Sequence, residues 1–69
     1  ITGVKMNYLA IEITGDKIQG YEVLCSAMYY NRGFAAWNKC EKFLNWNYAV
    51  TFIANCQVEI EEMNKQEEN

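Results

Sequence analysis

The sequence predicts a small α+β domain, in which an antiparallel β-sheet in the order β-β-α-β carries one amphipathic helix on one face. Apolar residues alternate with a period of two over residues 4–30 and 48–60, and with a period of three to four over residues 34–44. The 69 residues, 51% of them apolar or aromatic, suffice for one folded domain. We therefore expect a single domain over residues 1–61 and an acidic C-terminal tail over residues 62–69, either frayed or a short helix.

Residues 4–30 are predicted to form a β-hairpin. Apolar side chains alternate from residue 4 to residue 13, with a slip of one position at Tyr8 and Leu9 that a β-bulge would accommodate. The turn-forming residues Thr14-Gly15-Asp16-Lys17 follow, and the alternation then resumes from Gln19 to Tyr30.

A helix is predicted over residues 34–44, after the breaker Asn31-Arg32-Gly33 and before a stop at residues 45–47. Its apolar side chains recur at three- and four-residue steps, at Phe34, Trp37, Cys40, Phe43 and Leu44. An alternative start with Ser26 as the N-cap would place Gly33 inside the helix, at a cost of about 1 kcal/mol.

The last predicted element is a strand from Tyr48 to Ile60, with Phe52 and Val58 on its buried face. Thirteen extended residues span roughly 43 Å, which exceeds the width of so small a domain. We therefore expect this strand to bend, to turn near Asn55, or to project and pair with another chain.

The charge is acidic and unevenly distributed. Nine acidic and six basic residues give a net charge of −3, and residues 58–69 alone hold five glutamates against Lys65. No basic patch is available to neutralise phosphates, so no direct binding of nucleic acid is expected. Polar residues interrupt the longest uncharged segment, so no membrane association is expected either.

The usual catalytic and metal-binding residues are scarce. The chain has no histidine, and Cys25, Cys40 and Cys56 lie 15 and 16 residues apart, which is not the spacing of a zinc site. We expect no catalytic residue, no metal and no cofactor, and hence no enzyme. The three thiols are expected to be reduced and largely in the core of a cytoplasmic protein.

The predicted function is protein binding, with the chain self-associating as a homo-oligomer through a sheet edge or an exposed sheet face. One short helix cannot cover both faces of the sheet, so Leu24, Met28 and Tyr30 would form an exposed apolar patch. Small domains also often need a partner for stability. The candidate interface residues are aromatic or acidic: Tyr29, Tyr30, Trp46, Tyr48, Phe52, Glu59, Glu61 and Glu62.

A second hypothesis is a small acidic inhibitor of the phage type that blocks a host nucleic-acid-binding protein. In this hypothesis the glutamates near the C-terminus imitate phosphates for a basic protein partner.

Overall fold

The structure, a computed structural model, describes residues 7–29 and 35–68. Three strands, β1 (Asn7–Asp16), β2 (Gly20–Tyr29) and β3 (Ala35–Phe43), form an antiparallel sheet in the order β1-β2-β3. One helix, α1 (Trp46–Glu68), follows the strands. The α+β class is confirmed, whereas the β-β-α-β order is wrong because the helix comes last.

The hairpin of β1 and β2 is observed where the sequence predicts it, without a register shift between these strands. Asp16 organises the turn, since its Oδ1 accepts hydrogen bonds from the backbone N–H groups of Ile18 and Gln19 at 2.9 and 2.7 Å. Gly15 and Gly20 flank the turn with φ of 95° and 103°, values that other residues rarely adopt. The irregularity lies in the pairing of β2 with β3, at Ala27 and Met28.

Residues 35–43 form the edge strand β3, so the predicted helix over residues 34–44 is wrong for this segment. Trp37, Lys39, Glu41 and Phe43 pair with residues of β2 and face the same side of the sheet as α1. Lys39 and Glu41 therefore lie on the same face of the sheet as Trp37 and Phe43. The predicted helix would have separated these charged residues from the apolar ones. The predicted breaker at residues 31–33 lies outside the described residues, as do Tyr30 and Phe34.

Residues 48–60 belong to α1, so the predicted final strand is also wrong. Asn45 is the N-cap residue immediately before the helix, whereas the sequence pattern predicted a helix end there. The Asn45 side-chain Oδ1 accepts a hydrogen bond from the Asn47 N–H at 2.8 Å, and its backbone carbonyl accepts from Tyr48 and Ala49. Residues 62–68, predicted as a tail, continue the same helix. This helix is too polar to cross a membrane, and the described part of the chain contains no other helix.

The core lies between β2 and α1 and consists of small and medium side chains. Its fully buried hydrophobic residues are Val23, Cys25 and Ala27 of β2 and Ala49, Cys56 and Ile60 of α1. On the helix these positions are seven and four residues apart, which is the pattern of a helix with one buried face. Leu9, Trp37, Phe43, Phe52 and Ile53 pack around this core and are half-buried.

Candidate binding surface

The outer edge of β1 is the first part of the candidate surface. β1 is an edge strand, because β2 is the strand that pairs with it in the described sheet. In an antiparallel pair, successive residues direct their backbone N–H and C=O groups alternately toward the partner strand and away from it. The residues of β1 whose groups point outward therefore determine what this edge can bind.

Asn64 of α1 identifies those residues. The Asn7 N–H donates to Asn64 Oδ1 at 2.8 Å, and Asn64 Nδ2 donates to the Asn7 carbonyl at 3.1 Å. Both backbone groups of Asn7 therefore point away from β2. By the two-residue alternation, the same orientation holds for Leu9, Ile11 and Ile13, which face no strand among the described residues.

An apolar strip runs beside this edge on the helix-bearing face. Ile11 and Ile13 of β1 are 45% and 40% exposed, although they face the side of the sheet that α1 covers. Val50 of the helix is 47% exposed, and Ile53 is half-buried against the core. We call Ile11, Ile13, Val50 and Ile53 the β1-side strip.

The helix geometry places Val50 and Ile53 on the side of α1 nearest β1. Asn64 contacts Asn7 of β1, and it follows Ile53 and Val50 by about 3.1 and 3.9 turns, so these three side chains share one side of the helix. At the other end of α1, Trp46 packs against Tyr21 with ring centroids 5.0 Å apart. The helix therefore runs antiparallel to β1, with Val50 near the level of Ile13.

The opposite edge of the sheet differs in charge. β3 carries Lys39, Glu41 and Lys42, whereas β1 has no lysine, arginine or proline. Charged residues, especially lysine, on edge strands oppose pairing with other chains. Lys39 also forms an ion pair with Glu59 of the helix at 2.6 Å, and this hydrogen bond raises the pKa of Lys39. The β3 edge thus carries two lysines and one glutamate, whereas the charged residues of β1 are Glu12 and Asp16.

The sheet face opposite α1 is uncovered by the described residues, as the sequence predicted. Leu24 and Met28 of β2 lie there and are half-buried between their neighbouring strands. Polar side chains surround them, including Ser26, whose hydroxyl donates to Asn38 at 2.6 Å, and the exposed Glu22. This face is less continuously apolar than the β1-side strip.

The aromatic candidates from the sequence do not form one cluster. Trp46 and Tyr48 are exposed on the first turn of α1, and Phe52 is half-buried against Phe43 with ring centroids 5.4 Å apart. Tyr48 and Phe52 line a groove between α1 and β3 together with Phe43. Tyr29 ends β2, where its side chain is not described, and Tyr30 lies outside the described residues.

The acidic candidates lie on the C-terminal half of α1. Glu59 is bound to Lys39, Glu61 accepts a hydrogen bond from Gln57 at 3.5 Å, and Glu62 is exposed. Residues 59 and 62 lie about 60° apart around the helix, whereas residue 61 points away from both, since each step turns by about 100°. They do not converge on one site.

The three cysteines are free and occupy two environments. Cys25 and Cys56 are buried in the core, whereas Cys40 is exposed on β3, 3.8 Å from Glu22 Oε2. Desolvation raises the pKa of the Cys40 thiol, and the Glu22 carboxylate adds to this effect. No group of three or more Cys, Asp or Glu residues in the described parts of the chain is placed to hold a metal ion.

The buried thiol predicts a loss of stability at alkaline pH. Burial raises the pKa of Cys25 from 9.0 to about 11, and hydrogen bonding with Cys56 adds to the shift. Because the pKa is higher in the folded state, the stabilisation is complete below pH 9 and is lost as the pH rises toward 11. We expect Cys25→Ala to remove a slope of about 1 kcal/mol per pH unit from unfolding free energies measured between pH 9 and 11. An unchanged slope would contradict this assignment.

The chain has no match among protein-family models, curated proteins or solved structures.

Proposed function

We propose that this chain is a non-catalytic protein-interaction domain that binds an extended protein segment along the outer edge of β1. The observation that carries the proposal is the coincidence of outward backbone groups at Leu9, Ile11 and Ile13 with the exposed β1-side strip. A strand added to a sheet edge forms main-chain hydrogen bonds, which provide affinity, while alternate side chains provide specificity.

The β1-side strip supplies the side-chain part of such an interaction. A strand paired with β1 would place every second side chain on the helix-bearing face, next to Ile11 and Ile13. Those side chains would cover the strip and lie against the flank of α1 at Val50. The segment that fits is therefore one with β-branched or other apolar residues at alternate positions.

Two features favour this edge over the other surfaces of the molecule. The β3 edge carries charged side chains and has Lys39 bound to the helix. The uncovered sheet face has its central side chains half-buried and its polar groups partly paired with each other. The β1 edge combines open hydrogen-bonding groups with apolar surface.

A labelled peptide of the β1 sequence, residues 7–16, tests the proposal by fluorescence anisotropy. We expect it to bind the wild-type chain and the Leu24→Lys variant, which alters the uncovered face. Ile11→Lys should weaken binding by about tenfold or more, because a charge then lies where the added strand packs. Both substitutions replace a partly exposed apolar residue by lysine, so they are a matched pair whose folding is compared by circular dichroism.

Two results would overturn the proposal. One is the absence of binding to the wild-type chain at a concentration where sedimentation shows a monomer, or equal binding of a scrambled peptide. The other is a loss of binding in Leu24→Lys with none in Ile11→Lys, which would assign the interaction to the uncovered face instead.

A further inference from the structure

We infer that the strand that occupies the β1 edge is β1 of a second copy of this chain, paired antiparallel about a two-fold axis at Ile11. The inference rests on the proposed function and names its partner. The product is a six-stranded antiparallel sheet in the order β3-β2-β1-β1-β2-β3, with both helices on one face.

The contact between Asn7 and Asn64 determines the register. Because Asn64 occupies the backbone groups of Asn7, the open groups of β1 begin at Leu9. Pairing Ile11 with the Ile11 of a second copy also pairs Leu9 with Ile13 and Ile13 with Leu9. Leu9, Ile11 and Ile13 then all form hydrogen-bonded pairs, which gives six backbone hydrogen bonds in the ladder.

Side-chain chemistry supports the same register. On the helix-bearing face, apolar Leu9, Ile11 and Ile13 meet only apolar residues. On the opposite face, Glu12 lies across from Ala10 of the second copy. A register centred on Glu12 would oppose two glutamates, and one centred on Ala10 would place Ile13 across from polar Asn7; both are less favourable cross-strand pairs.

The helices complete the buried surface. Four adjacent strands at 4.8 Å spacing separate the two β2 strands by about 14 Å, so helices about 10 Å wide would flank a narrow groove over the isoleucines. On each helix, the residues near the level of Ile11 on this flank are Ile53 and Gln57, which carry no charge. The acidic C-terminal ends of the two helices point to opposite ends of the assembly, because the two-fold axis makes them antiparallel.

Disulfide cross-linking tests the register in 69-residue chains that carry Cys40→Ser, which removes the exposed native thiol. In an antiparallel hydrogen-bonded pair the Cα atoms are about 5.5 Å apart, within the range of a disulfide. Oxidised glutathione should therefore convert Ile11→Cys into a covalent dimer. Ile13→Cys alone should remain uncross-linked, since four residues of offset separate its two copies by about 13 Å.

A mixture of Leu9→Cys and Ile13→Cys chains should form the mixed dimer, and sedimentation velocity should show a non-covalent dimer of the wild-type chain. A monomer at high protein concentration together with β1-peptide binding would overturn the second copy as partner while leaving the strand-binding function intact. A dimer that cross-links through Ile13→Cys alone, and not through Ile11→Cys, would overturn the register.

Discussion

Ile60→Ala is expected to lower the free energy of unfolding by about 2–5 kcal/mol, the usual cost of truncating a buried isoleucine. Ile60 is 1% exposed and is the largest of the fully buried side chains. Its removal leaves a cavity between α1 and the sheet in a core otherwise built from small residues. Urea denaturation monitored by circular dichroism measures this loss.

Val58→Ala is the matched control, because Val58 lies two residues away and is 50% exposed. We expect it to change the unfolding free energy by about 0.5 kcal/mol or less. If residues 48–60 were a strand, Val58 and Ile60 would share one face and would be similarly sensitive. Similar losses for the two variants would therefore contradict the helix.

Gly15→Ala is expected to cost at least about 3 kcal/mol or to rearrange the hairpin. The residue has φ of 95°, and a Cβ atom added there would lie 2.1 Å from the carbonyl oxygen of Gly20. That oxygen belongs to the backbone of β2, so relief requires the two strands to separate. Thermal unfolding of the variant measures the effect.

Gly20→Ala distinguishes the backbone strain of a positive φ from the steric clash of an added Cβ atom with a carbonyl oxygen. Gly20 has a similar φ of 103°, but the nearest atoms to an added Cβ are 3.3 Å away, in the Leu44 side chain and the Phe43 carbonyl. We expect a smaller loss of about 1–3 kcal/mol, chiefly from backbone strain, because the contacts at 3.3 Å require shifts of only a few tenths of an ångström. Equal losses at the two glycines would show that the close approach of Gly15 to Gly20 is not significant.

The hairpin could be predicted from the sequence because its signals are local: alternating side chains on both sides of a turn that contains Gly15 and Asp16. Residues 48–60 satisfied two patterns at once. The alternation from Tyr48 to Ile60 is genuine, but so is the helical spacing of Ala49, Cys56 and Ile60. Asn45 as an N-cap and the glutamate-rich continuation favour the helix, as does the excessive length of a thirteen-residue strand.

The error over residues 34–44 has a different cause. An edge strand beside a helix can place charged residues on its inner face, where they reach solvent or a helical partner. Lys39 does this by binding Glu59, twenty residues further along the chain. Lysine at position 39 therefore interrupts the alternation of apolar and polar residues that would have indicated a strand. The remaining apolar residues recur at three- and four-residue steps, which resembles a helix.

The sequence predicted the type of candidate surface but not the strand that provides it. The sequence indicated a sheet edge or an uncovered face, and Leu24 and Met28 do lie on that face. It did not single out Ile11 and Ile13, because it placed the helix before the last strand and so left open which strands were edges. The lack of lysine, arginine and proline in β1, beside a charged β3, was the available signal.

The hydrogen bonds between Asn7 and Asn64 join residues 57 positions apart, which has a consequence for the order of folding. The hairpin needs only nearby residues and can form early, whereas this contact closes a loop of nearly the whole described chain. During synthesis, β1 and β2 therefore emerge from the ribosome well before the last turns of α1. In that interval the backbone groups of Asn7 are not yet bound by Asn64. The β1 edges of nascent chains on neighbouring ribosomes could then pair in registers that include Asn7.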